Sequence, residues 1–427
     1  MRLAITSLAA AAVICAFGTA GASASSLSLA YGFCAKKNCV DGRNSDSPVS
    51  RDASGNLYGV TRFQTLGNSQ RGILYKLTAN GDGTYAYKTL YKLCDMFNKR
   101  CNKGSIPNGR LAVSPAGDVF GTTYRGDGGK ADGGVVYEFT GDGKYNALFK
   151  LCPNCTTPLR PVAGVTWAGA QFGTSWDGIA PLYLVARNDV SGIPGARIYQ
   201  IAKPKHKNKF KLAEILASDG PIAALTVDLS GNLFYDVTDD FHGGIFKLSF
   251  NGSNWVNTQV WTLCAAHTDC NEGKDPRALV VDKTGNLYAT SATGGDNKNG
   301  TVFRLAAPNY TSMSVLHSFC IDKPCSDGVT TPFAAPLAID QTGNVYGATS
   351  DGGGNDFQTD KSGAGVIYRV GTDGSYTKLY SFCAVADCTD GADPLGGVTI
   401  DDAGSLYGTA FEGGPQIGSG EVFRFTP

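Results

Sequence analysis

The chain repeats one phrase seven times, and that repetition leaves few folds open to it. Each copy places a glycine in a short turn and an aromatic three residues later: Gly55 and Tyr58, Gly117 and Phe120, Gly169 and Phe172, Gly231 and Phe234, Gly285 and Tyr288, Gly343 and Tyr346, Gly404 and Tyr407. Glycine admits the positive φ that a tight hairpin turn demands. In five copies an aspartate (Asp52, Asp228, Asp282, Asp340, Asp401) precedes the glycine by three residues, where its carboxylate accepts backbone N–H groups of the turn. No EF-hand series follows these aspartates, so they read as turn formers and not as metal ligands. A second aromatic column, Tyr75, Tyr137, Tyr199, Phe246, Phe303, Tyr368 and Phe423, lies in stretches that alternate with the period of a strand.

Each copy therefore supplies strand A before the turn, strand B after it, strand C with the second aromatic, and a further strand D. Four antiparallel strands repeating every roughly 58 residues predict a β-propeller blade. The seventh A–B–C set ends at Phe425 with no D strand behind it, while Ser26–Cys34 reads as a D strand with nothing before it. One orphan at each end predicts an all-β, seven-bladed propeller of four-stranded blades, closed by the N-terminal strand completing the last blade. Closure removes the exposed strand edges that invite aggregation. The third copy is the least regular. Its turn reads TWAGAQFG, and its B–C connection is expected to run over Ser175 to Pro194.

Charge is sparse, at 17% of residues, and the formal net charge is zero, so the whole molecule should not seek polyanions. The basic run Lys203–Lys211 lacks arginine and reads as a hairpin tip, and no nucleic acid partner is expected. Residues 1–24 read as a signal peptide: Arg2, an apolar run from Leu3 to Phe17, and Ala22-Ser23-Ala24 before the cut. Ile14 before Cys15 is too bulky for a lipoprotein cleavage site. Residues 25–427 then form one propeller domain with no membrane span, expected to be a monomer in the periplasm or the medium.

Twelve cysteines follow the signal peptide in six close pairs: Cys34 and Cys39, Cys94 and Cys101, Cys152 and Cys155, Cys264 and Cys270, Cys320 and Cys325, Cys383 and Cys388. Each pair begins where a D strand ends, and the seventh such place, LASDG at 216–220, lacks both partners. Loss as a pair in an exported chain predicts six local disulfides. Cys152-x-x-Cys155 ends a strand, whereas a redox motif opens a helix, and it has no second pair with which to hold zinc.

In such a blade the D–A and B–C loops leave by one face and the A–B and C–D turns by the other. Variation concentrates in the B–C loops, where scaffolds usually place binding. The candidate ligand-binding residues there are Asp127, Asp132, Trp176, Asp177, Asp239, Asp240, His242, Asp296, Asp351, Asp356 and Glu412. Carboxylates beside a tryptophan suit a glycan or a Ca²⁺ ion; no other cofactor is expected. Support for catalysis is thin. The four histidines share no metal spacing, and neither a nucleophile elbow nor a zinc-protease helix is present.

The copies resemble the GloVer tandem-repeat family of exported bacterial proteins. The resemblance is carried by Gly343-Asn344-Val345-Tyr346-Gly347-Ala348-Thr349, Asp351-Gly352-Gly353, Gly365-Val366-Ile367-Tyr368, Val315–Phe319 and Ser326-Asp327-Gly328. It implies export and repetition without supplying a reaction, and the stop at Pro427 without an anchor points to a free form. The Gly-Asn-Leu-Tyr turn is also similar to turns of NHL-type propellers, some of which bind partners and some of which are lyases or hydrolases. The leading expectation is a non-enzymatic propeller presenting one face to a glycan or envelope protein. Its rival is a propeller hydrolase or lyase acting on a polysaccharide or small metabolite.

Overall fold

A computed structural model describes residues 25–65, 72–93, 103–126, 132–151, 157–188, 195–204, 209–238, 243–265, 270–329, 335–357, 362–416 and 418–427; the signal peptide read at 1–24 lies outside them. Seven sheets of four antiparallel strands form the ring. Blade 1 runs from axis to rim as Ser50–Arg51, Leu57–Thr61, Ile73–Ala79 and Tyr85–Lys92. Blade 7 takes Val398–Ile400, Leu406–Ala410 and Glu421–Thr426 from the end of the chain and its rim strand, Ser26–Gly32, from the beginning. Ser26 stands opposite Thr426 and Gly32 opposite Glu421. The ring closes as its orphan strands predict.

Burial follows position in the blade. Leu57–Thr61, wedged between neighbouring sheets, is buried throughout, whereas every residue of the rim strand Tyr85–Lys92 is at least partly exposed. Aromatics join the blades. Phe33 meets Tyr75, Phe319 meets Tyr368 and Phe382 meets Phe423, edge to face, with ring centroids 5.4, 5.3 and 5.2 Å apart. In each pair the residue at the end of one rim strand reaches the C-strand aromatic of the next blade, in the geometry that ring quadrupoles favour. Room for those C-strand rings comes from the strand beside them. A β-carbon added to Gly59, Gly121 or Gly347 would overlap the hydroxyl of Tyr75, Tyr137 or Tyr368.

The turn aspartates act as expected. Asp52, Asp228, Asp282, Asp340 and Asp401 each accept two backbone N–H bonds on Oδ1, at 2.8–3.0 Å.

Blade 3 corrects the sequence reading. Its strands are Leu159–Pro161, Leu182–Asn188, Ala196–Ala202 and Lys211–Ser218. Gly169 and Phe172 therefore do not form its A–B hairpin, and Ser175–Pro194 is not a B–C connection. Tyr183, not Phe172, holds the place of Tyr58: Leu184 stands opposite Tyr199 just as Gly59 stands opposite Tyr75.

The residues between strands A and B of blade 3 cross the axis of the ring. Ala170–Phe172 is a single 3₁₀ turn bounded by Gly169 and Gly173, both at positive φ (92° and 71°). The Gln171 amide donates to the carbonyls of Val227 (3.1 Å) in blade 4 and Val281 (3.2 Å) in blade 5. Phe172 joins the core around Val280, Leu337 and Ile339 of blades 5 and 6. Gly173 lies against Ile400 of blade 7, and the Ser175 hydroxyl donates to the Arg51 carbonyl of blade 1. Val227, Val281, Ile400 and Arg51 all end inner strands. The segment thus seals the turn end of the axis.

Candidate functional site

The D–A loops on the opposite face share one construction. Four disulfides, Cys34–Cys39, Cys264–Cys270, Cys320–Cys325 and Cys383–Cys388, close loops with Cα separations of 4.0–4.8 Å. The pairs Cys94/Cys101 and Cys152/Cys155 lie outside the described residues. All eight bonded cysteines have positive φ, between 43° and 65°. This region is unfavourable for a residue with a β-carbon, so the rest of the loop must hold it there.

In three of the four loops a buried aspartate two residues after the second cysteine provides that hold. Asp41 accepts the N–H groups of Ala35 and Lys36 and the Tyr31 hydroxyl. Asp390 does the same for Ala384, Val385 and Tyr380. Asp327 accepts the Ile321 N–H and is hydrogen-bonded to His317 Nε2 at 2.8 Å. His317 thus occupies the place of a structural tyrosine, stacked on Tyr376 at 3.8 Å. These aspartates were not among the expected functional residues. Their signal in the sequence is Cys-x-Asp-Gly, at Cys39–Gly42, Cys325–Gly328 and Cys388–Gly391.

The B–C loops are tied to these staples. The N–H groups of Gly295, Gly353 and Gly414 donate to the carbonyls of Cys270, Cys325 and Cys388. Asn297 and Asn355 donate to the carbonyls of Phe319 and Phe382. Two loop families thus form one bonded surface. This is the pre-organisation that keeps the ordering cost of binding low.

The candidates named from the sequence scatter over this surface and beyond it. Asp132 pairs with Arg125 at 3.6 Å and caps Gly126 N–H. Asp296 is exposed in the B–C loop of blade 5. Asp351 accepts the Ser350 and Ser362 hydroxyls. Asp356 lines a cavity of about 440 Å³ with Phe357 and the Cys383–Cys388 loop. Glu412 is half-buried, and burial pushes its carboxyl upward against the pull of Arg43. Trp176 and Asp177 belong elsewhere, because the shift of strand B moves them to the turn face. Trp176 is 1% exposed, packed against Phe120, and donates from its indole to the Ala180 carbonyl. Asp177 accepts the N–H groups of Ile179 and Ala180, an ordinary turn. Asp127, Asp239, Asp240 and His242 lie outside the described residues. Among the described residues no three His, Cys, Asp or Glu side chains gather as a metal site would need, and no helix is long and apolar enough to cross a membrane.

A second concavity lies on the axis above the blade 3 segment. Its volume is about 50 Å³, and inner strands or their leading residues from six blades line it. Most of the wall is apolar, from Pro48, Ala163, Val165, Ala223 to Leu225, Ala278 to Val280 and Ala335 to Leu337. Arg110, Arg277, Gln171 and two threonines, Thr166 and Thr226, interrupt it. Burial pushes the Arg110 guanidinium down to about 10, which leaves it charged at neutral pH. The periodicity that exposed the blades carries no signal for either Arg110 or Gln171, since each is unique to its copy.

Known proteins place the ring in context. Virginiamycin B lyase from Staphylococcus aureus superposes with a TM-score of 0.52 at 9% identity, over 94% of this chain and 99% of that one. YCF48 bound to D1 peptide superposes with a TM-score of 0.50 at 10% identity, over 95% and 96%. At such identities the likeness is one of fold alone. No curated protein matches the chain in sequence. Residues 228–427, from the first turn of blade 4 onward, match the Gloeobacter/Verrucomicrobia repeat.

Proposed function

We propose that the protein is an exported, non-enzymatic propeller whose stapled loop face engages a glycan or an envelope protein. The observation that carries this reading is the asymmetry of the ring: one end of the axis is sealed by blade 3, and the other carries the varied loops on a disulfide-bonded base. Export is supported by the disulfides, which persist in oxidising compartments. His317 argues against the hydrolase alternative at its own position, because its Nε2 is engaged by Asp327 in a role that tyrosine fills in two sibling loops.

The test is capture on a glycan array and cross-linked pull-down from a bacterial envelope, with two charge reversals as probes. Asp296→Lys combined with Asp356→Lys, on the loop face, is expected to reduce capture tenfold or more, about 1.4 kcal/mol or greater. Ser54→Lys, on the turn face, is expected to leave it unchanged. Equal loss from both variants, or turnover of a polysaccharide by the purified protein, would overturn the reading.

A further inference from the structure

We propose that the axial cavity is a binding site for a small oxyanion, a carboxylate or phosphate of a few heavy atoms, held by Arg110. This goes beyond the loop-face reading and does not depend on what that face binds.

Arg110 sits in the inner strand of blade 2, Ser105–Val113, where the ladder to the next strand is irregular between Asn108 and Ala112. Its backbone bonds sideways to blade 3: its N–H donates to the Ala163 carbonyl, and its carbonyl accepts from Val165. The adjacent N–H groups of Gly109 and Leu111 are held by the hydroxyls of Ser47 and Ser50 in blade 1. Four hydrogen bonds to two neighbouring blades therefore fix the backbone that carries this side chain. The side chain lines both the axial cavity and a smaller space of about 10 Å³ beside Trp167, Ala170 and Gly173.

No ion pair or side-chain hydrogen bond engages the Arg110 guanidinium among the described residues, and no anionic neighbour perturbs it. Arg110 is partly exposed, and a cation set in a largely apolar wall without a counter-ion gains from a ligand that supplies the charge. Gln171 gives a second and independent observation. It lines the same cavity and is 3% exposed; its amide N–H₂ is taken up by two carbonyls, while its Oε1 is buried with no hydrogen-bond partner among the described residues. The wall therefore presents a fork of donors that has no partner among the described residues. An oxyanion such as acetate or hydrogen phosphate answers that fork. Arg277 adds a second positive charge to the wall, with Asp236 and Asp275 near it. A volume of about 50 Å³ holds roughly four water-sized atoms, which suits a small oxyanion.

The test is thermal unfolding and calorimetry of the oxidised protein in acetate, glycolate, phosphate and sulfate, each against chloride at equal ionic strength. At least one oxyanion is expected to raise the Tm by roughly 2 °C or more. Arg110→Gln should abolish the rise and, without anion, should melt no lower than the parent, since it removes an uncompensated charge. Should that variant fail to fold, crystals of the parent soaked in selenate should show an anomalous peak beside Arg110. No oxyanion effect beyond chloride, an unchanged effect in Arg110→Gln, or an empty axial cavity in the soaked crystal would overturn the proposal.

Discussion

Gly173→Ala should destabilise the protein by about 4 kcal/mol. Gly173 has a φ of 71°, and a β-carbon there would overlap the carbonyl oxygen of Ile400. Neither partner yields easily. Ile400 ends the inner strand of blade 7, and Gly173 closes the 3₁₀ turn that Gln171 anchors to blades 4 and 5. Gly231 provides the control, since it has a φ of 84° with nothing within 4 Å of its added β-carbon. Gly231→Ala therefore isolates the cost of positive φ, about 1 kcal/mol. Denaturant midpoints of the two variants give the difference. Equal losses would mean that the blade 3 segment does not seat on blade 7.

Stability should fall as pH rises from about 4.5 to 8, and Glu421→Val should remove most of that fall. Glu421 is 1% exposed in the third strand of blade 7, and neither carboxylate oxygen has a hydrogen-bond partner. Sibling blades place Ile73, Val135, Thr301 and Val366 at this position after the glycine. Burial, and secondarily the charge of Asp390, pushes the carboxyl up to about 8. Below the ordinary glutamate value both folded and unfolded chains hold the proton, and the group contributes no pH dependence. Between that value and 8 the folded chain keeps a proton that the unfolded chain releases, so stability declines by up to about 1.4 kcal/mol per pH unit. Above 8 the loss is complete. Asp236, buried and pushed up to about 7, acts in the same sense and leaves a residual slope in the variant. Melting curves from pH 4 to 9 test this. Glu421→Val should match the parent at pH 4.5 and exceed it by a few kcal/mol at pH 8. Parallel profiles for the two proteins would show that Glu421 is ionised or solvated in the fold.

The ring was legible in the sequence because its physics repeats. Gly343, Asp340 and Tyr346 solve one local problem, a tight turn feeding a buried strand, and six of the seven copies align as true solutions by spacing alone. The orphan strand Ser26–Gly32 was legible for the same reason, as was the pairing of the eight cysteines among the described residues. Blade 3 misled because Gly169 and Phe172 imitate the spacing without the chemistry. Thr166 stands where five other copies have aspartate, and Leu182-Tyr183 repeats the Leu-Tyr of Leu57-Tyr58 eleven residues further on than Gly169-x-x-Phe172 suggests. Trp176 went with that error, because a tryptophan near an aspartate looks the same in a sequence whether it faces solvent or core. Arg110 and Gln171 were illegible for a different reason. Their meaning comes from six inner strands converging on one axis, and no spacing along the chain encodes that convergence.

The most direct test of the sealed axis is the reactivity of a thiol placed in the seal. Ala170 is 5% exposed within the 3₁₀ turn, and Ser54 is exposed in the first turn of blade 1. In the oxidised protein, Ala170→Cys should resist a soluble thiol reagent under native conditions and react only on unfolding, while Ser54→Cys reacts at the rate of a free thiol. Equal rates at the two positions would show the axis open at the turn end, and would leave no physical reason to assign binding to the loop face alone.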